Sequence, residues 1–136
     1  MNCLVLFALL SWSQAQELTV SPLSELNFGV LVQGDPEKTI PSGSSETSAN
    51  ASFRLTGAPG ASYSVILPDS IQILNGGNEP GRTLDVRNFS SFPSGSSGVL
   101  TLGGESFVYV GATISSVLAT QVVGIYRGSF PITIVY

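Results

Sequence analysis

Histidine is absent from these 136 residues, and a single cysteine, Cys3, stands near the start. The first absence removes Ser-His-Asp triads, Cys-His pairs and His-based metal sites. Charge is scarce as well: charged residues make up 10% of the chain, against about 25% in an average soluble domain. The five basic residues (Lys38, Arg54, Arg82, Arg87, Arg127) are scattered, and nine acidic ones bring the net charge to −4. A nucleic-acid surface needs clustered Lys and Arg to neutralise phosphates, so no nucleic-acid partner is expected.

Carboxylate chemistry has little to build on. Glycoside hydrolysis asks for two carboxyl groups held about 5–10 Å apart. Asp35 and Glu37 sit in a turn, and Asp69, Glu79, Asp85 and Glu105 read as loop or strand-edge charges. Asp35 and Glu37 lack the dense Asp/Asn/Gly loop of a calcium site. The pairs Gly76-Gly77 and Gly103-Gly104 read as hairpin turns, since no helical pattern follows them as a phosphate cradle requires. The expectation is a protein that is not an enzyme and carries no cofactor and no metal.

What the chain does have is apolar surface: 43% of its residues are hydrophobic, enough to bury a core and too many for a disordered chain. One domain fits the length. Leu4 to Leu10 (LVLFALL) form an apolar run too short to span a bilayer, which takes about 20 helical residues. Ser13-Gln14-Ala15 then places small residues at the −3 and −1 positions of a signal-peptidase site. Residues 1–15 are therefore expected to be a signal peptide, although Met1-Asn2-Cys3 supplies no basic residue. The other reading of the segment is a buried strand or helix of the fold. Cys3 would leave with the peptide, so the mature chain would fold without a disulfide. No second long apolar stretch exists, and no transmembrane span is expected.

From residue 17 onward the pattern is one of short strands. Leu18 and Val20 alternate with Glu17 and Thr19. Leu26, Phe28, Val30 and Val32 alternate with Asn27, Gly29, Leu31 and Gln33. The period of two returns at Ala51–Leu55, Tyr63–Leu67, Ile71–Ile73, Leu84–Val86 and Leu100–Leu102. Phe107 to Ile114 reads as a central strand apolar on both faces, and in the last segment Tyr126, Phe130, Ile132, Ile134 and Tyr136 share one face. Ser42–Asn50 and Ser90–Gly98 are polar, Gly/Ser/Pro-rich loops. Short strands with turn signals every 8–12 residues or so indicate an all-β fold, an immunoglobulin-like or pilin-like antiparallel β-sandwich, as a single domain over residues 16–136.

Five segments in this order carry a family resemblance: Leu26-Asn27-Phe28-Gly29, Ala51–Gly57, Tyr63–Pro68, Val110–Ile114 and Gly124–Tyr136. The chain resembles the bacterial secreted domain-of-unknown-function family numbered 4402, over essentially the whole of its mature length. The resemblance implies an exported, pilin-like or surface β-domain and carries over no catalytic residue. With a bacterial resemblance, the Asn50-Ala51-Ser52 and Asn88-Phe89-Ser90 sequons read as chance.

Function is then expected to lie in strand edges and surfaces. Pilin-type sandwiches accept an extended strand from a neighbour. Leu18, Val20 and Leu23 form a candidate donor segment. Tyr126, Phe130, Ile132, Ile134 and Tyr136 form a candidate edge strand, with Pro131 favouring an edge because proline cannot donate to a central ladder. The expected partners are copies of the chain or related subunits, and a periplasmic chaperone. The expected location is secreted, periplasmic or bacterial cell surface. The alternative is a complete sandwich acting as a monomeric secreted binding module for a carbohydrate or host surface.

Overall fold

Alternation of apolar and polar residues, punctuated by Gly, Pro and Ser, yields strands throughout. The computed structural model describes the backbone of residues 2–12 and the whole of residues 18–136. Among the described residues every regular element is a strand, and no helix is long and apolar enough to cross a membrane. The strands are β1 (Asn2–Trp12), β2 (Thr19–Ser24), β3 (Leu26–Val30), β4 (Lys38–Ile40), β5 (Ala51–Thr56) and β6 (Ser62–Ile66). They continue with β7 (Ser70–Leu74), β8 (Thr83–Phe92), β9 (Gly98–Val99), β10 (Glu105–Ile114) and β11 (Ile125–Val135). The fold is all-β. Ser13-Gln14-Ala15 lies outside the described residues.

Hydrogen bonding links the strands into one path, β2-β5-β10-β8-β7-β11-β1-β3, with β4 beside β10, β6 beside β11 and β9 beside β6. Every pair among them is antiparallel except β1 with β11. Tyr109 and Val110 have register partners in both β5 and β8, so β10 is central, as its doubly apolar sequence implies. The inner faces supply a core that includes Leu26, Phe28, Phe53, Leu55, Val108 and Ile114, all buried. Each such side chain contributes about 1.5–3 kcal/mol relative to exposure.

Three local expectations change in the structure. After Gly29 the alternation inverts: Leu31 is buried, while Val30 and Val32 are 69% and 63% exposed. Gly29 sits at φ 77°, a left-handed conformation that glycine adopts without steric cost, and its N–H donates to Asn27 Oδ1 at 2.7 Å. That kink, matched by a register irregularity at Cys3/Leu4 on the neighbouring strand, swaps the faces. Second, β8 runs on through Ser90–Phe92, which read as loop by composition, because Ser90 and Phe92 pair with Gly111 and Tyr109. Third, the Leu100–Leu102 segment holds only the two-residue β9 just before it. Leu100 is buried, whereas Leu102 is 92% exposed on a turn.

The polar loop at 42–50 is tied down by one side chain. Asn50 is fully buried; its amide nitrogen donates to Ser42 O (2.7 Å) and Ser45 O (2.9 Å), and its Oδ1 accepts from Thr47 N (2.8 Å). Asn50 is thus a structural residue, and its amide is out of reach of a glycosylating enzyme in the folded chain.

Candidate strand-accepting groove

β11 carries the residues that the sequence marks as an edge strand. Its burial alternates: Tyr126, Phe130, Ile132 and Ile134 are at most 1% exposed, and Ile125, Arg127, Ser129 and Pro131 face outward. Phe130 meets Phe89 of β8 with ring centroids 5.1 Å apart and planes tilted by 38°, a favourable aromatic separation. Tyr136 is only partly buried, yet its hydroxyl is shielded and has no hydrogen-bond partner among the described residues.

The two edges of β11 are occupied differently. One edge is shared by β6, through Thr133–Val135, and by β7, through the single pair Arg127↔Leu74. The other edge takes β1, parallel, from Asn2↔Ile125 to Trp12↔Ile134, with an irregularity between Val5 and Phe7. The far edge of β1 pairs antiparallel with β3, from Asn2↔Val30 to Val5↔Leu26. Residues 2–12 therefore lie along β11, and over Asn2–Val5 they fill a slot whose second wall is β3. Without that strand, the N–H and C=O groups of β11 directed towards β1 would lose their partners and form a template for another strand. Pro131, opposite Leu9, has no N–H to offer there. At one mouth of the slot, Val30 and Ile125 are both register partners of Asn2, and both are more than half exposed.

The candidate donor residues have a different place. β2 pairs antiparallel with β5 from Thr19↔Thr56 to Ser24↔Ser52. Leu18 and Val20 are buried in the chain's own core, and Leu23 is half exposed. Ser24 Oγ reinforces the pairing through Asn50 O at 3.1 Å and Ser52 Oγ at 2.8 Å.

At the foot of β11, Tyr126 anchors the slot's wall. Its buried hydroxyl lies 2.5 Å from Val122 O and 3.0 Å from Gly81 O, and Gln121 Nε2 donates to it at 3.1 Å. Gln121 Nε2 also donates to Thr83 O at 3.0 Å, while its buried Oε1 has no partner among the described residues. Gln121 lines an open cleft of about 490 Å³ with Gln72, Asn78, Asp85 and Ser115. The hydroxyl was not legible as an anchor in the sequence, because its carbonyl partners come from separate turns. Tyr126→Phe is expected to cost about 1–3 kcal/mol by leaving buried polar groups without the hydroxyl, measured by urea unfolding.

Electrostatic features are few. Arg54–Glu105 and Arg87–Glu37 are exposed ion pairs, of a kind that contributes little. Burial pushes the Tyr63 hydroxyl above the usual tyrosine range, partly offset by its hydrogen bond with Ser106 Oγ at 2.7 Å. The folded state therefore holds its proton more tightly than the unfolded chain does. The stability this gives is present below the unfolded pKa of about 10 and is lost as pH rises through and above it. Alkaline unfolding is expected to shift to higher pH in Tyr63→Phe relative to the same variant's stability at pH 7, read by far-UV circular dichroism. No cluster of three or more Cys, Asp or Glu side chains that could hold a metal ion occurs among the described residues.

Comparison with curated proteins and with solved structures returns no match. A family profile, described as a domain of unknown function (DUF4402), matches residues 18–136. That span takes in β2 through β11, including both walls of the slot and excluding the strand that fills it. The chain belongs to the DUF4402 family.

Proposed function

We propose that this protein is an exported bacterial surface or fimbria-like structural subunit that works by strand pairing, with the slot between β3 and β11 as its binding site. One observation carries the reading: residues 2–12, the segment expected to be removed as a signal peptide, form the strand that fills the slot. Processing at Ala15 would leave β11 and β3 without a partner between them. An exported domain in that state binds an extended segment through main-chain hydrogen bonds, with apolar side chains giving specificity. Related subunits and a periplasmic chaperone are partners of the right kind, and no catalytic role is proposed.

The architecture that fits is an antiparallel β-sandwich of the immunoglobulin-like or pilin-like class. Two features support it. The strand path is joined in the middle by a single register pair, Arg127↔Leu74, as where two packed sheets meet at a corner. Tyr126, near the start of β11, bonds the carbonyl four residues upstream, the arrangement of a tyrosine corner in immunoglobulin-type sandwiches.

The test uses the chain beginning at Gln16 and a separate peptide of residues 2–12, with Cys3→Ser and a charged tail for solubility. Saturable binding with a rise in Tm supports the reading. A chain from Gln16 that is as stable as the full one and takes up no peptide sinks it.

A further inference from the structure

Residues 18–24 are already in use. Five register pairs bind β2 to β5, Leu18 and Val20 are 3% and 8% exposed, and Ser24 Oγ is held by Asn50 O and Ser52 Oγ. Withdrawing this segment to serve a neighbour would strip the edge of β5 and open the chain's own core over Phe53 and Leu55, both buried. The other strands of residues 18–136 are likewise paired within the chain.

The slot, in contrast, shows what it accepts. Its occupant runs parallel to β11 and in register with residues 125–134. It spans eleven residues, NCLVLFALLSW, without a single charge. The mouth at Val30 and Ile125 is apolar too. On the face of the sheet where Tyr126, Phe130, Ile132 and Ile134 are buried, a charged side chain of an incoming strand would lose its hydration.

We propose that this protein accepts a strand but donates none from residues 18–136, so that its occupant after processing is an uncharged, apolar segment of a different polypeptide, about eleven residues long and parallel to β11. This rests on the strand-pairing reading of the slot. The chain then stands at a hetero-junction and does not extend a homopolymer through residues 18–24.

The experiment starts from the full chain, so that folding does not depend on an empty slot. A protease site is placed within residues 13–17, the folded protein is cut, and labelled peptides are added in excess. A peptide of residues 2–12 is expected to exchange into the cut protein at least about a hundredfold more tightly than one of residues 18–24. At a hundredfold excess over its Kd it should raise the Tm of the chain from Gln16 by about 10 °C. Sedimentation should find both the cut protein and the chain from Gln16 monomeric at every concentration. Uptake of the 18–24 peptide, or self-association of the chain from Gln16 that this peptide dissolves, overturns the inference and leaves the slot a strand acceptor. A full-length dimer that exchanges β1 between copies overturns it as well, since the occupant is then a second copy. Entry of neither peptide overturns both the inference and the strand-pairing reading.

Discussion

Phe130→Ala should lower the unfolding free energy by about 3–5 kcal/mol, as large-to-small changes of buried aromatic residues do. Phe130 is 1% exposed on the inner face of β11 and meets Phe89 at 5.1 Å. The cost has two parts. The ring's transfer from water is lost, and a cavity remains because β11 is held on one edge by β6 and β7 and on the other by β1, so the strand cannot move in to fill it. The aromatic pair adds about 0.5–1.5 kcal/mol beyond burial, so Phe89→Ala alone should give a smaller loss, Phe89 being only partly buried. In a double-mutant cycle the two changes should cost less together than their sum. An additive result would show that the rings do not interact.

A second large loss is expected where there is no side chain at all. Gly111 lies in the middle of β10, and a Cβ built there would collide with Ile40 O and with the backbone of Pro41 and Ser42. These are main-chain atoms held by the Ala112↔Ile40 pairing, so no flexible side chain can give way. Gly111→Ala should cost about 3 kcal/mol, the upper part of the range for overpacking, and should loosen β4 from β10. Gly103 is the matched control. Its nearest contact is Thr101 Oγ1 at 3.7 Å, an ordinary separation, so Gly103→Ala should change stability by no more than about 0.5 kcal/mol. Equal effects at the two positions would contradict the close approach of β4 to β10.

The strands were legible in the sequence wherever alternation ran unbroken. Ala51–Leu55, Tyr63–Val65 and Phe130–Ile134 each place their apolar residues inward as the period of two requires. The pattern misled at Val30–Val32, where a left-handed Gly29 exchanged the two faces without leaving a mark in the hydrophobicity. It misled again at Leu102, an apolar residue on an exposed turn, where composition alone cannot tell core from surface. The Ser90–Phe92 end of β8 was hidden because polar residues with a partner strand look like loop residues without one. The site was half visible. The inner face of β11 could be read directly, whereas β3 as the opposite wall depends on long-range pairing that no local pattern encodes. The segment 2–12 was recognisable as apolar, and a buried strand was one reading of it, but LVLFALL has no alternation to favour a strand over a helix or a signal peptide. For Leu18 and Val20, alternation is the same whether a strand serves its own core or a neighbour's; only the pairing with β5 assigns them to their own.

Removal of β1 should leave one edge of β11 paired with β6 at residues 133–135 and with β7 at Arg127, and the other edge open to an incoming strand. Amide hydrogen exchange, resolved residue by residue, reads the two edges separately, because successive N–H groups of a strand point to opposite edges. In the full chain, the amides of β11 directed towards β1 and those bonded to β6 and β7 should be protected. In the chain from Gln16, alternate amides of residues 125–134, those directed towards β1, should exchange about a hundredfold faster, and those bonded to β6 and β7 should keep their protection. Addition of the 2–12 peptide should restore the first set alone. Unchanged protection of both sets in the shortened chain would contradict the claim, since β11 would then have no open edge for a partner to fill.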